Sequence, residues 1–216
     1  MKTVAVFGST GATGRLVIDG ALKQGYRVVA MARNPAALDR RDNMEVVKGD
    51  LFDAASVRTV LERNVDIVVF VAGIASYKQC AFGKPVSVYS QGITSILTAM
   101  EALKIRRLVA LTSSAIEEDP NSPWFFRKII RNIIARTMYE DQGSMEKLIE
   151  RKTSAIDWTI VRPPWLRDDI KRRPVKVQNE WLMKGKAMIR REDVAAFIIQ
   201  HLQTTEWLHK KPTLTY

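Results

Sequence analysis

Short apolar runs alternate along this chain with segments of helical periodicity. The runs Thr3–Phe7, Arg27–Ala32, Met44–Lys48, Asp66–Val71, Arg107–Thr112 and Asp157–Val161 are rich in aliphatic and β-branched residues. Such runs, bounded by turn residues, predict strands buried on both faces. Between them the spacing predicts helices over Gly14–Gln24, Ala54–Arg63, Tyr89–Leu103, part of Pro123–Lys152, and Arg191–Gln203. Strand and helix in alternation predict an α/β fold, a Rossmann-type doubly wound parallel sheet in a single domain over residues 1–216. Asn34-Pro35, Asp53, Gly92 and Pro163-Pro164 are read as turns or helix boundaries. Residues 163–190 lack a long helical pattern and predict a loop-rich, substrate-side excursion with a short strand near Val175–Val177.

The first strand runs directly into Gly8-Ser9-Thr10-Gly11-Ala12-Thr13-Gly14. Strand, glycine turn and helix start together describe a phosphate cradle. Gly8 turns the chain out of the strand, Gly11 leaves backbone N–H groups open to a pyrophosphate, and Gly14 lets the next helix pack closely on the sheet. The helix N-terminus then faces the phosphates with its unpaired N–H groups, and Thr10 and Thr13 add hydroxyl donors.

The chain has 216 residues, with 46% hydrophobic and 26% charged, ordinary for a soluble domain, and contains no apolar stretch long enough to span a membrane. With no secretory pattern and Cys80 as its single cysteine, it is expected to be cytoplasmic. Cys80 reads as a loop or pocket-lining residue rather than a catalytic thiol. The net charge of +11 is spread along the chain without a nucleic-acid-binding motif. It fits a basic surface that attracts phosphate-bearing cofactors and anionic substrates, with no specific nucleic acid. No metal-ligand set is assigned. Trp124–Arg136 mixes aromatic, aliphatic and basic residues, and α-helical spacing gathers Phe126, Ile129, Ile130 and Ile133 on one face. That face is read as buried against the domain or a second subunit, giving a homodimer, or as a lid. Membrane-surface binding is the less favoured reading.

Six segments then carry a resemblance: the glycine turn, Met31-Ala32-Arg33-Asn34-Pro35, Val47-Lys48-Gly49-Asp50, Val71-Ala72-Gly73, Leu111-Thr112-Ser113-Ser114 and Asp157-Trp158-Thr159-Ile160-Val161-Arg162-Pro163-Pro164. Together they resemble the atypical short-chain dehydrogenase/reductases, most closely the NmrA-like and biliverdin-reductase-B/flavin-reductase-like branch. Ile189–Phe197 extends the likeness to nearly the whole chain. Arg33 ends the second strand where NADH-selecting proteins place an acid, so NADPH is the expected cofactor, the alternative being a merely exposed arginine. Asp50 and Leu51 are placed at the adenine, although Asp50 also reads as a turn residue or helix cap. The resemblance places Ala72 and Gly73 at the ribose, and Thr112, Pro163 and Pro164 on the nicotinamide side.

Short-chain dehydrogenases commonly pair a tyrosine with a lysine four residues on, yet Tyr139 is followed at that spacing by Gly143, and Lys147 lies two turns away. The biliverdin-reductase-B-like branch also lacks the dyad, which implies hydride delivery to a flat acceptor with a solvent proton. Ser113 or Ser114 would then bond substrate or nicotinamide, with Trp165 as a further wall. Ser113 equally reads as a cap and Trp165 as a packed loop aromatic. The leading reading is an NADPH-dependent reductase of flavins, quinones or tetrapyrrole-like acceptors. A non-catalytic dinucleotide sensor and a carbonyl reductase or epimerase using Tyr139 or Tyr77 as its acid remain open.

Overall fold

A computed structural model of the chain describes residues 1–74, 77–118, 124–178 and 188–216. Its elements in chain order are β1 (Thr3–Phe7), α1 (Ala12–Lys23), β2 (Arg27–Ala32), β3 (Met44–Lys48), α2 (Ala54–Leu61), β4 (Ile67–Phe70), α3 (Val88–Ala102), β5 (Arg107–Leu111), α4 (Arg136–Glu150), β6 (Asp157–Val161), β7 (Trp165–Arg167), β8 (Lys176–Gln178), β9 (Met188–Arg190), α5 (Arg191–Gln200) and β10 (Thr213–Thr215). The main sheet has the order β3-β2-β1-β4-β5-β6, and all its pairs are parallel. This is a Rossmann-like single-domain fold, as the alternation of runs predicts.

Period-two alternation sorts each strand between two cores. Ala5 and Phe7 of β1 pack with Val57, Ile93, Ile96, Met145 and Ile149 of α2, α3 and α4. Val4 and Val6 pack with Val17, Ile18, Val194 and Ile198 of α1 and α5. Both faces are therefore covered, which leaves the strand ends as the place where such sheets take ligands. The N-terminus of α3 gains its cap from another helix: the backbone N–H groups of Tyr89 and Ser90 donate to buried Asp141 of α4, at 2.9 and 3.3 Å. Gly92 lies inside α3 rather than at a boundary, because a Cβ there would stand 2.5 Å from Leu51 Cδ2.

The free edge of β6 is lined by the last part of the chain. Ile160 N–H donates to Lys210 O (3.1 Å) and Arg162 N–H to Pro212 O (2.8 Å), and residues 159 and 162 bridge to 210 and 213. The excursion after Pro163 carries more strand than its composition predicts. Besides β8, which pairs with β10, it holds β7 and β9, paired in parallel with Trp165 opposite Met188. Residues 179–187 of the excursion fall outside the described residues.

The segment Phe126–Ile134 is a π-helix rather than an α-helix, and Ala135 N–H reaches Ile130 O at 2.7 Å. Bonding five residues back widens the winding, so faces drawn with α spacing do not hold. The apolar face expected to be buried is split: Ile130 is half-buried, while Ile129 and Ile133 are exposed together with Trp124 and Phe125. The side chain of Phe126 lies outside the described residues.

Truncating Ile96→Ala, which is fully buried between α3 and the sheet, is expected to lower stability by about 2–5 kcal/mol in chemical denaturation, with the slope of the transition unchanged.

Candidate functional site

The sheet order reverses between β1 and β4, so a crevice opens where their C-terminal ends diverge. The parallel ladders align Phe7 with Phe70, Phe70 with Ala110 and Ala110 with Ile160. The residues just beyond therefore emerge side by side: the glycine turn, Val71–Gly73, Thr112–Ser114 and Arg162–Pro164.

Gly8 has φ +91°, and a Cβ on it would stand 2.5 Å from Ala72 N, so neither its conformation nor its neighbour admits a side chain. A Cβ on Gly14 would run into the Gly8 carbonyl, so Gly14 packs the helix against the turn itself rather than against the sheet. Gly11 closes the turn by donating to Gly8 O (3.1 Å). It is also the N-cap of α1, and makes no side-chain cap bond. The helix begins at exposed Ala12, and its first turn holds no acid. Its leading N–H groups are thus left without intrahelical partners, an arrangement that could hold an anion. Thr10 is exposed and Thr13 buried. Ser9 donates to Met31 O at 2.5 Å and ties the turn to β2.

At the end of β2, Arg33 is exposed. A second cation, Arg15, which the sequence does not single out, reaches the loop that follows Arg33. Its Nε donates to Thr10 O (3.3 Å) and its Nη2 to Ala37 O (2.6 Å), bridging the glycine turn to the loop after Arg33. Its signal was its place directly after Gly14, at the helix start. Asp50 Oδ1 accepts from Phe52 N–H (3.0 Å), which realises its turn role. Leu51 is buried beneath Gly92.

Gly73 is exposed beside Tyr89, whose hydroxyl accepts weakly from Ile74 N–H at 3.4 Å and would stand 2.8 Å from a Cβ on Gly73. Burial pushes the Tyr89 phenol above its ordinary pKa. Ser113 is half-buried and caps the short turn after β5, accepting from Ala115 N–H (3.1 Å). Ser114 is buried, and its N–H donates to Pro163 O (3.0 Å), locking this turn to the buried Pro163-Pro164 step. Trp165 is exposed, not a packed loop aromatic. Tyr139 is only 6% exposed, within the α3–α4 core, whereas Lys147 points to solvent. The side chain of Tyr77 lies outside the described residues.

Thr112 does not present its hydroxyl to the crevice. It donates inward to Glu146 Oε1 (2.8 Å). Glu146 also accepts from Arg162 Nε (3.0 Å) and Nη2 (2.5 Å) and pairs with Lys211 Nζ (3.1 Å). Arg162 in turn reaches Glu117 (2.8 Å). This buried network joins α4 to the ends of β5 and β6, directly behind Ser113 and Pro163. Burial alone would raise the Glu146 pKa, but the bonds from Arg162, with Lys211 and Thr112, outweigh it and hold the carboxyl below its ordinary value of 4.5. Arg162 stands in the quoted Val161-Arg162-Pro163-Pro164 step, but nothing local in the sequence marks Glu146 as its partner.

This strand order, with a glycine turn at its switch point, defines the dinucleotide-binding class of α/β proteins. Residues 8–205 match the NAD(P)H-binding family, and the chain belongs to it. Reductase pytE of Aspergillus terreus is 27% identical over 263 aligned positions, covering 99% of this chain and 98% of that one. A short-chain dehydrogenase/reductase from Veillonella parvula, solved in complex with NADP, superposes with a TM-score of 0.78 at 16% identity, covering 100% and 94% of the two chains. A candidate NADH-flavin reductase from Streptococcus pneumoniae superposes at 0.74 with 16% identity, covering 100% and 99%. Among the described residues, no helix is long and apolar enough to cross a membrane.

Because the folded-state pKa of Glu146 is lowered, its stabilisation is complete above the unfolded value near 4.5 and is lost as pH falls through the folded value. Glu146→Ala, which leaves Arg162 buried without its main partner, is expected to cost about 3–5 kcal/mol at neutral pH. In thermal unfolding followed from pH 7 to pH 3, the gap between wild type and Glu146→Gln should shrink below pH 4.5.

Proposed function

We propose that the protein is an NADPH-dependent reductase that passes hydride to a flat conjugated acceptor, of the flavin, quinone or tetrapyrrole kind. The observation that carries the reading is the alignment of an uncapped helix N-terminus, the backbone of Val71–Gly73 and the Ser113–Pro163 turn along one crevice, with arginine and no acid at the end of β2. The N–H groups of Ala12, Thr13 and Gly14, which open α1 without a side-chain cap, support a pyrophosphate held at the helix start, with the Thr10 hydroxyl beside them. Arg33, aided by Arg15, takes the 2′-phosphate. Asp50 and the Leu51 N–H meet the adenine, and Ala72 and Gly73 admit the ribose.

The bound dinucleotide supplies the hydride. Ser113, its lone pair engaged by Ala115 N–H, turns its O–H toward the acceptor and orients it. Pro163 and Pro164 wall the nicotinamide side, and Thr112 acts from behind through Glu146. Tyr139 is buried and Lys147 exposed, so neither serves as a paired proton donor, and solvent supplies the proton. The burial of Tyr139 also fits a second reading, a protein that binds the dinucleotide without turnover.

Nicotinamide fluorescence, followed on mixing NADPH with the protein and then with flavin or quinone, separates the two readings. Enhancement followed by acceptor-dependent decay is expected; enhancement that persists with every acceptor would establish the second. Arg33→Ala should weaken NADPH roughly 10- to 100-fold and leave NADH unchanged. Ser113→Ala should slow turnover roughly tenfold with NADPH affinity retained.

A further inference from the structure

Large exposed apolar side chains are not scattered over this molecule. Apart from Met1, those among the described residues are Phe52, Trp124, Phe125, Ile129, Ile133, Trp165 and Met188. Each belongs to a connection that leaves the C-terminal end of a strand: Phe52 after β3, the π-helical group after β5, and the paired Trp165 and Met188 after β6. The C-terminal end of the sheet, the crevice edge of the molecule, therefore carries the apolar surface. Exposed apolar groups gathered on one side mark an interaction surface.

The π-helix lies across that edge with its underside fixed. Arg131 donates to the carbonyls of Ala115 (3.0 Å) and Ile116 (2.8 Å), and Cys80 Sγ to Ile134 O (3.4 Å). Thr137, just beyond it, donates to Lys84 O (2.7 Å). With those contacts made, Trp124, Phe125, Ile129 and Ile133 are 67%, 51%, 42% and 53% exposed. They are not waiting to fold inward.

Charge identifies the occupant. The exposed cations Lys128, Lys171 and Arg173 lie on the same connections and Lys84 on the one after β4, and they enter no ion pair among the described residues. The acids of these connections are engaged: Glu117 with Arg162, Asp168 with Arg191, Asp169 with Arg167, Glu118 with a partner of its own, and Asp50 and Asp53 beside Phe52 with local N–H and hydroxyl groups. A second copy would bring this net positive surface against itself, on a chain of net charge +11. Aromatic and aliphatic groups interleaved with unpaired cations instead match the apolar–anionic layering of a bilayer interface. We propose that this edge docks on an anionic lipid surface, with the π-helix lying in the interface and the crevice facing the membrane. The proposal stands independently of the reductase reading.

Flotation of the intact protein with vesicles tests it without any enzymatic readout. Vesicles of phosphatidylcholine mixed with phosphatidylglycerol should carry the protein, phosphatidylcholine alone should carry far less, and salt should release it. Lys128→Glu should weaken binding at least ~fivefold, and the double variant Ile129→Ser with Ile133→Ser roughly tenfold or more. Both should keep the wild-type unfolding temperature and NADPH fluorescence, since these side chains are exposed. Absence of flotation, or flotation indifferent to both variants, overturns the proposal. Absence of flotation with a concentration-dependent doubling of mass, abolished by the double variant, would make the edge a self-interface. A failed flotation beside intact NADPH consumption would leave the reductase reading untouched.

Discussion

Burying both faces of a parallel sheet is the constraint on which the rest of this molecule depends. Alternate residues of β1 serve opposite cores, and the same holds along β2, β4, β5 and β6. Helices cover both faces, and β6 is lined by residues 210–213. Polar groups must therefore collect at the strand ends, and at the C-terminal ends the backbone leaves the ladder with N–H groups in need of partners. The crevice is where that need is concentrated.

The two ends of the sheet handle charge differently. At the N-terminal end of β5, Arg107 is held by the carbonyls of His201, Leu202 and Asp157 and by the Thr159 hydroxyl. Burial pulls its pKa down to about 10. At the C-terminal end, Arg162 meets a buried carboxylate directly, and Lys211 and Thr112 complete the set. A buried pair of this kind is weak evidence for net stability but strong evidence for a fixed geometry. Here it fixes the turn that carries Ser113 against the step that carries Pro163.

How much was legible follows from the range of each interaction. Strand runs such as Thr3–Phe7 and Arg27–Ala32 agree with the structure to the residue, because burial on both faces writes itself into consecutive positions. The glycine turn was legible for the same reason: its geometry is local. Gly92 was misread, since a glycine admitting Leu51 within a helix looks the same in sequence as one ending a helix. The π-helix was misread because a face drawn at α spacing presumes the winding it is meant to reveal. Asp141 capping α3 and Glu146 holding Arg162 act between elements far apart in the chain, and no local pattern records either. For Trp165, by contrast, the sequence allows two readings, and its exposure decides against packing.

The lining of β6 by residues 209–214 ties the end of this sequence to the completion of its sheet. Main-chain bonds from His209, Ile160, Arg162 and Leu214 close that edge. Each contact joins segments some fifty residues apart, so each forms late, after the entropy of a long loop has been lost. Until then β6 presents unpaired main-chain groups of the sort that recruit strands from other chains. During synthesis the growing polypeptide passes through a stage in which β6 is open along this edge and, until α5 arrives, the face that carries Val4 and Val6 is open as well. Between emergence of residue 161 and arrival of residue 214, the outer edge of β6 is therefore open to pairing with another chain.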